Sequence, residues 1–192
     1  MKNFKSSTFA GIFGLAACAA VASFVPLAAA HAKTVMVGGA AMYPSRNIIQ
    51  NAVNSKDHTT LVAAVKAAGL VDTLEGPGPF TVFAPTNEAF AKLPAGTVAA
   101  LLKPENKPKL TAILTYHVVA GKYSTGDLMR AVRMGGGEAM LKTVEGEPLT
   151  VKDVHHRLEI IDAKGRKAWI TIANVAQSNG MIQVINKVLL PN

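Results

Sequence analysis

Cysteine is almost missing from this chain: its 192 residues carry one, Cys18. That excludes a disulfide framework and a cysteine-based zinc site. Aromatic residues are scarce, at 6%, with a single tryptophan. Acidic residues number 12 against 20 lysines and arginines, for a formal net charge of +8. Residues 6–30 hold no charge at all.

Catalytic patterns are lacking too. No Gly-x-Ser-x-Gly elbow occurs, and the lone thiol lies in the apolar leader. Gly135-Gly136-Gly137 has no following Lys-Ser/Thr, so it is no phosphate loop. The histidines are His31, His58, His117, His155 and His156. The adjacent pair would face opposite sides of a strand, a poor chelate. Glu145 and Glu147 read as solvated charges. Met129, Met134, Met140 and Met181 read as fillers of core gaps. No nucleophile, base and orienter can be assembled, so neither an enzyme nor a cofactor is expected.

What is present begins with an export leader. Lys2 and Lys5 precede an apolar run that closes on the small residues Ala28-Ala29-Ala30 and Ala30-His31-Ala32. Basic, apolar, then small is the order of a secretory signal peptide. Cleavage after Ala30 or Ala32 would leave a chain without cysteine. Leu15-Ala16-Ala17-Cys18 offers a competing cut, in which Cys18 is lipidated and anchors the protein to a membrane. The expected organisation is a leader at 1–32, a loose lead at 33–45 and one domain at 46–191. Losing Lys2 and Lys5 lowers the net charge from +8 to +6. The remaining cations are scattered, dense only at Lys164-Gly165-Arg166-Lys167, without the aromatic interleaving of a nucleic-acid face. The charge reads first as plain solubility; as a binding feature it suits anionic cell-surface polymers better than nucleic acid in an exported protein.

Periodicity predicts helices first and strands later. Ile48, Ile49 and Val53 share one helical face, and Leu61, Val62, Val65 and Ala68 another. Asp57 is placed to cap the second helix and Gly69 to end it. Two prolines and two glycines in 75–79 make a turn. A short strand, buried on both faces, follows at 80–84; Pro85 ends it and Thr86 caps the next helix. Helices are predicted at 95–102, 105–114 and 125–132, with strand character at 115–119. From 138 onward the runs 140–143, 149–154, 158–161, 168–173 and 181–189 are β-rich, with a hairpin turn at 162–165. Helices in the first half and strands in the second give an α+β domain.

Three stretches recur as a set: Thr81-Val82-Phe83-Ala84-Pro85-Thr86-Asn87-Glu88-Ala89-Phe90, Leu114-Thr115-Tyr116-His117-Val118-Val119, and Asn179-Gly180 through Pro191. With the helix from Thr60, Gly78-Pro79-Phe80 and Leu102-Lys103-Pro104-Glu105-Asn106-Lys107, their order and spacing resemble the fasciclin-like domain family, over about 47–191. The resemblance implies a β-wedge with helices packed around it. It also implies a non-catalytic adhesion module in the periplasm or on the cell surface. Two positions depart from it. Many members carry Asp where this chain has Asn186, and many bacterial ones carry His where it has Gln183.

The resemblance links adhesion to the Tyr-His segment, which makes Tyr116 and His117 candidate partner contacts. The residues themselves favour an internal role over a contact: an imidazole locking a neighbouring strand or loop, and a core aromatic with a wet hydroxyl. The expected function is attachment to a cell-surface or matrix protein or polysaccharide, in adhesion, aggregation or biofilm, by a monomer. The alternative is a periplasmic carrier of a small molecule or lipid in an apolar groove between helices and wedge.

Overall fold

A computed structural model describes residues 34–192, which belong to one compact unit. The leader and its cut sites at Cys18, Ala30 and Ala32 lie outside the described residues. The segment expected to be a loose lead is instead a hairpin, β1 (Val35–Val37) and β2 (Ala40–Met42). Gly38 and Gly39 turn it at positive φ, and Val37 and Met42 are buried. Three-residue strands are too short to show an alternating pattern in the sequence.

Helix α1 (Ile48–Ala52) starts in a capping box between Asn47 and Gln50. It buries Ile48 and Ile49 and leaves Val53 exposed. Helix α2 (Thr59–Ala68) ends on Gly69 at φ 73°, the left-handed cap that glycine adopts at least cost. Asp57 does not cap it. Asn87, remote in sequence, does so: its Oδ1 accepts from Thr60 N–H at 3.0 Å, and its Nδ2 donates to the Lys56 carbonyl at 2.8 Å. Helix α3 (Val71–Glu75) leads to β3 (Phe80–Pro85). Thr86 then caps α4 (Asn87–Ala91), its Oγ1 accepting from Ala89 N–H. Helices α5 (Thr97–Leu101) and α6 (Lys107–Tyr116) follow. Helix α6 takes in Thr115 and Tyr116, where strand was expected; β4 is only Val118–Ala120. A β-rich tripeptide does not stop a helix whose preceding turn is already packed.

Helix α7 (Thr125–Met134) begins in a Ser124–Asp127 capping box. Then come β5 (Glu138–Lys142), β6 (Pro148–Val154), β7 (Arg157–Ile161), β8 (Lys167–Gln177) and β9 (Gly180–Ile185). His155 and His156 are not in a strand. They are the two turn residues between β6 and β7, at φ 53° and 62°, as a tight two-residue hairpin requires.

Among the described residues one large sheet runs in the order β4-β3-β9-β8-β7-β6-β5. It is antiparallel except for the central pair β3–β9. Its two ends meet, because Val119 bridges Thr143 and Val144 N–H donates to the Val118 carbonyl at 2.7 Å. The sheet is thus nearly closed, with helices around it: an α+β wedge.

The central pair separates two cores. Val82, Ala84, Ile182 and Val184 face one, with α1, α2 and α6. Phe83 and Ile185 face the other, with Leu128 and Val132 of α7 and the inner side of β5–β8. Burial on both faces is what an unbroken apolar strand needs. A Cβ on Gly180 would strike the Phe80 carbonyl oxygen, so glycine here lets β9 approach β3. Gly180→Ala should therefore cost more than about 3 kcal/mol of stability, measured as the shift in urea midpoint; a loss below 1 kcal/mol would contradict this close approach.

Candidate functional site

The Tyr116–His117 pair sits where α6 gives way to β4, between the two cores. Leu110, Ile113 and Leu114 of α6 belong to the first core and Tyr116 to the second. Tyr116 is 0% and His117 2% exposed. Neither offers surface to a partner, and every polar atom of both side chains is engaged inside.

The Tyr116 hydroxyl accepts from Ala163 N–H at 2.8 Å and donates to the Pro148 carbonyl at 3.0 Å. It thereby ties the β7–β8 turn to the start of β6. Burial pushes its pKa up to about 12, against the pull of the Ala163 amide; Asp162, Glu147 and Glu145 add to the rise. The phenol therefore stays protonated, as its donation to Pro148 requires.

His117 joins three elements. Its carbonyl accepts from Phe83 N–H at 2.9 Å, in the centre of β3. Its Nδ1 lies 2.7 Å from the Ile113 carbonyl, and its Nε2 is 3.0 Å from Leu189 N–H. A carbonyl only accepts and an amide N–H only donates, so the proton must sit on Nδ1 and the ring must be neutral. Burial lowers the pKa to about 4, with the Ile113 carbonyl and the Asp162 carboxylate pulling weakly the other way.

Asp162 completes the clamp on the closing segment. Its Oδ2 accepts from Leu190 N–H at 3.1 Å and from the Arg166 guanidinium at 2.8 Å. Its Oδ1 accepts from the amides of Lys164 and Arg166. Successive amides, Leu189 and Leu190, are thus held by an imidazole and a carboxylate from two different parts of the chain.

Several ties were not foreseen. Asn179 accepts from Ile48 N–H at 3.1 Å and donates to the carbonyls of Leu74 and Gly76. Asn51 bonds Tyr43 and Gln177 across a buried contact. The two departures from the fasciclin-like pattern are neutral bridges. Gln183 accepts from Asn174 N–H at 2.9 Å and donates to the Tyr123 carbonyl at 3.0 Å. Asn186 accepts from Trp169 N–H at 2.9 Å. An amide both donates and accepts without titrating, so the last strand keeps these bonds at any pH. Such residues look like ordinary turn or surface polars in the sequence; only their distant partners give them a role.

Other expectations fare differently. Glu145 and Glu147 are not simply solvated: Glu145 accepts from Glu147 N–H, and Glu147 from Asn192 N–H. Met134 and Met140 are 82% and 71% exposed and fill no core gap. His58 is buried, its Nδ1 2.9 Å from Ser55 Oγ, and burial lowers its pKa. His58 and His117 line an apolar cavity of about 40 Å³ under α1 and α2. Among the described residues no three His, Cys, Asp or Glu side chains are grouped to hold a metal ion, and no helix is long and apolar enough to cross a membrane.

Residues 56–191 match the Fasciclin domain. Protein sll1483 of Synechocystis is 47% identical over 83% of this chain and 81% of its own length. The chain belongs to the fasciclin domain family. The domain also accounts for 73% of the chain in its similarity to the cell surface glycolipoprotein MPB83 of Mycobacterium bovis, at 37% identity and over 58% of that protein. The FAS1 domain pair of the insect cell adhesion molecule fasciclin I has the same fold. Its TM-score is 0.67 at 21% identity, over 76% of this chain and 51% of that one.

Two predictions test the junction. The folded pKa of His117, about 4, lies below the ordinary 6.5. Between these values the unfolded chain binds more protons. Stability should be full above pH 6.5, fall as pH drops toward 4 by about 3 kcal/mol, and level below that. His58 adds to the fall with the same sign. Urea titrations across this range should show the slope in the parent and a flatter one in His117→Leu, which should also be less stable at pH 7 by about 2–4 kcal/mol. Separately, Tyr116→Phe orphans the Ala163 amide and the Pro148 carbonyl and should cost about 2–3 kcal/mol. Binding per folded molecule should stay unchanged; a binding loss in a fully folded variant would restore the contact role.

Proposed function

We propose that this fasciclin domain is an exported, non-catalytic attachment module that binds cell-surface or matrix components as a monomer. The family match over residues 56–191 carries the reading. It is supported by a similar protein that bears the name of a cell surface glycolipoprotein. The basic, apolar, small-residue leader at 1–32 supports export to the periplasm or beyond, freely after a cut at Ala30 or Ala32, or on a lipid at Cys18. In this reading the buried Tyr116 and His117 keep the wedge closed, and the binding face lies elsewhere.

The small-molecule carrier is not favoured. The enclosed apolar space under α1 and α2 is about 40 Å³, well below the roughly 300–1,000 Å³ of a typical ligand pocket, and the wider groove of about 430 Å³ beside α4 and α5 is open to solvent instead of enclosing a ligand. The chain's net charge of +8, or +6 without Lys2 and Lys5, directs attention to anionic surfaces.

Immobilised residues 33–192 should retain the parent cells and their surface polymers saturably at low salt. Raising salt toward 1 M, where the screening length falls to about 3 Å, should weaken retention. Retention indifferent to salt would remove charge from the mechanism. No retention at any salt would remove the attachment reading.

A further inference from the structure

We propose that the outward face of strands β5–β8 is a docking platform for an anionic polysaccharide, centred on Trp169 and Arg157. The proposal rests on the attachment reading and specifies its partner's chemistry.

The register defines the face. Directly paired residues in an antiparallel sheet point the same way. Glu138 pairs with Lys152, Lys152 with Glu159, and Glu159 with Trp169, one row across four strands. The opposite side of these strands is the second core, where α7 packs. The outward side is left to solvent: Met140 is 71% exposed, and Lys142 and Arg157 are exposed.

Charge on this face is unbalanced. Both of its carboxylates are already neutralised, Glu138 by Lys152 at 2.8 Å and the buried Glu159 by Lys167 at 3.2 Å. Lys142 and Arg157 make no ion pair among the described residues. The face therefore has two uncompensated cations.

Apolar surface lies among them. Trp169 is half-buried, and the Arg157 guanidinium stands over its ring at 5.0 Å. This cation–π contact keeps the Arg157 charge at the tryptophan, where its N–H groups can still meet a carboxylate because Arg157 makes no ion pair among the described residues. Met140 supplies a second apolar spot along the strip. Four strands about 4.8 Å apart make a strip about 14 Å wide.

A uronate-rich chain fits both features. Its sugar rings present C–H faces to Trp169 and Met140, while its carboxylates meet Arg157 and Lys142. A neutral glycan would leave the cations unused, and a purely acidic peptide would leave the aromatic platform unused.

Trp169 is the only tryptophan in the chain, so its emission reports on this face alone. The exported protein would be titrated with alginate, dextran and polyglutamate of matched length. Alginate should produce a saturable emission change, weakened by salt; dextran and polyglutamate should not. The double variant K142Q/R157Q changes two exposed side chains, and its fold is checked by circular dichroism. It should bind alginate about tenfold more weakly. No saturable change with alginate, an equal change with polyglutamate or dextran, or undiminished binding by the double variant would each overturn the platform. Cell retention separates this failure from that of the parent reading. Retention that K142Q/R157Q leaves intact overturns the platform and keeps attachment. Alginate binding without cell retention keeps the platform and overturns attachment.

Discussion

The fold depends on one neutral imidazole. His117 has a carbonyl acceptor at Nδ1 and an amide donor at Nε2, and only the uncharged Nδ1–H tautomer satisfies both. Its own carbonyl holds the middle of β3. A single residue thus registers the end of α6, the central strand and the closing segment against one another. With Tyr116 bonded to Pro148 and Ala163, the junction also fixes the β6 start and the β7–β8 turn. Removing such a group leaves buried partners unpaired, which costs more than the bonds themselves are worth.

Around this tie, geometry at the centre decides the rest. Parallel strands β3 and β9 carry side chains into both cores. Their approach is set by Gly180, where any Cβ would strike the Phe80 carbonyl. Side-chain amides then bind distant loops to this frame: Asn179 to α1 and the α3 exit, Asn87 to the start of α2, Gln183 to Tyr123. Among the described residues the interior is filled mostly by apolar packing and neutral polar bridges, which leave small apolar cavities of about 40 and 30 Å³. The chemistry available for recognition is therefore on the outside, where cations outnumber carboxylates and the sole tryptophan is half-exposed.

Much of this was legible in the residues. Phe80-Thr81-Val82-Phe83 followed by Pro85 reads as a two-faced strand, and Thr86 and Gly69 read as caps, because strand burial, proline geometry and helix termini act over a few neighbours. The hairpin at 35–42 was not legible, since three-residue strands are held by tertiary contact more than by pattern. Nor was the extent of α6, since the β-preference of Thr115 and Tyr116 yields to the packing of Leu110, Ile113 and Leu114. His155-His156 fell between two β-rich runs without a turn being read there; the two-residue hairpin puts both at positive φ.

The sequence by itself determined the apolar leader, the α+β order of elements, the family pattern, and the absence of any thiol or Gly-x-Ser-x-Gly nucleophile pattern outside the leader. Each of these is a local or compositional property. Only the tertiary structure decided that Tyr116 and His117 face inward and that Asn87, Asn179 and Asp162 clamp remote backbone. It alone placed Arg157 over Trp169 and put Met140 and Lys142 on the same outward face, farther along it on β5. Those relations join residues far apart in the chain or on separate strands, and spacing along a sequence carries no information about which hydrogen-bond partner or sheet face a side chain will find.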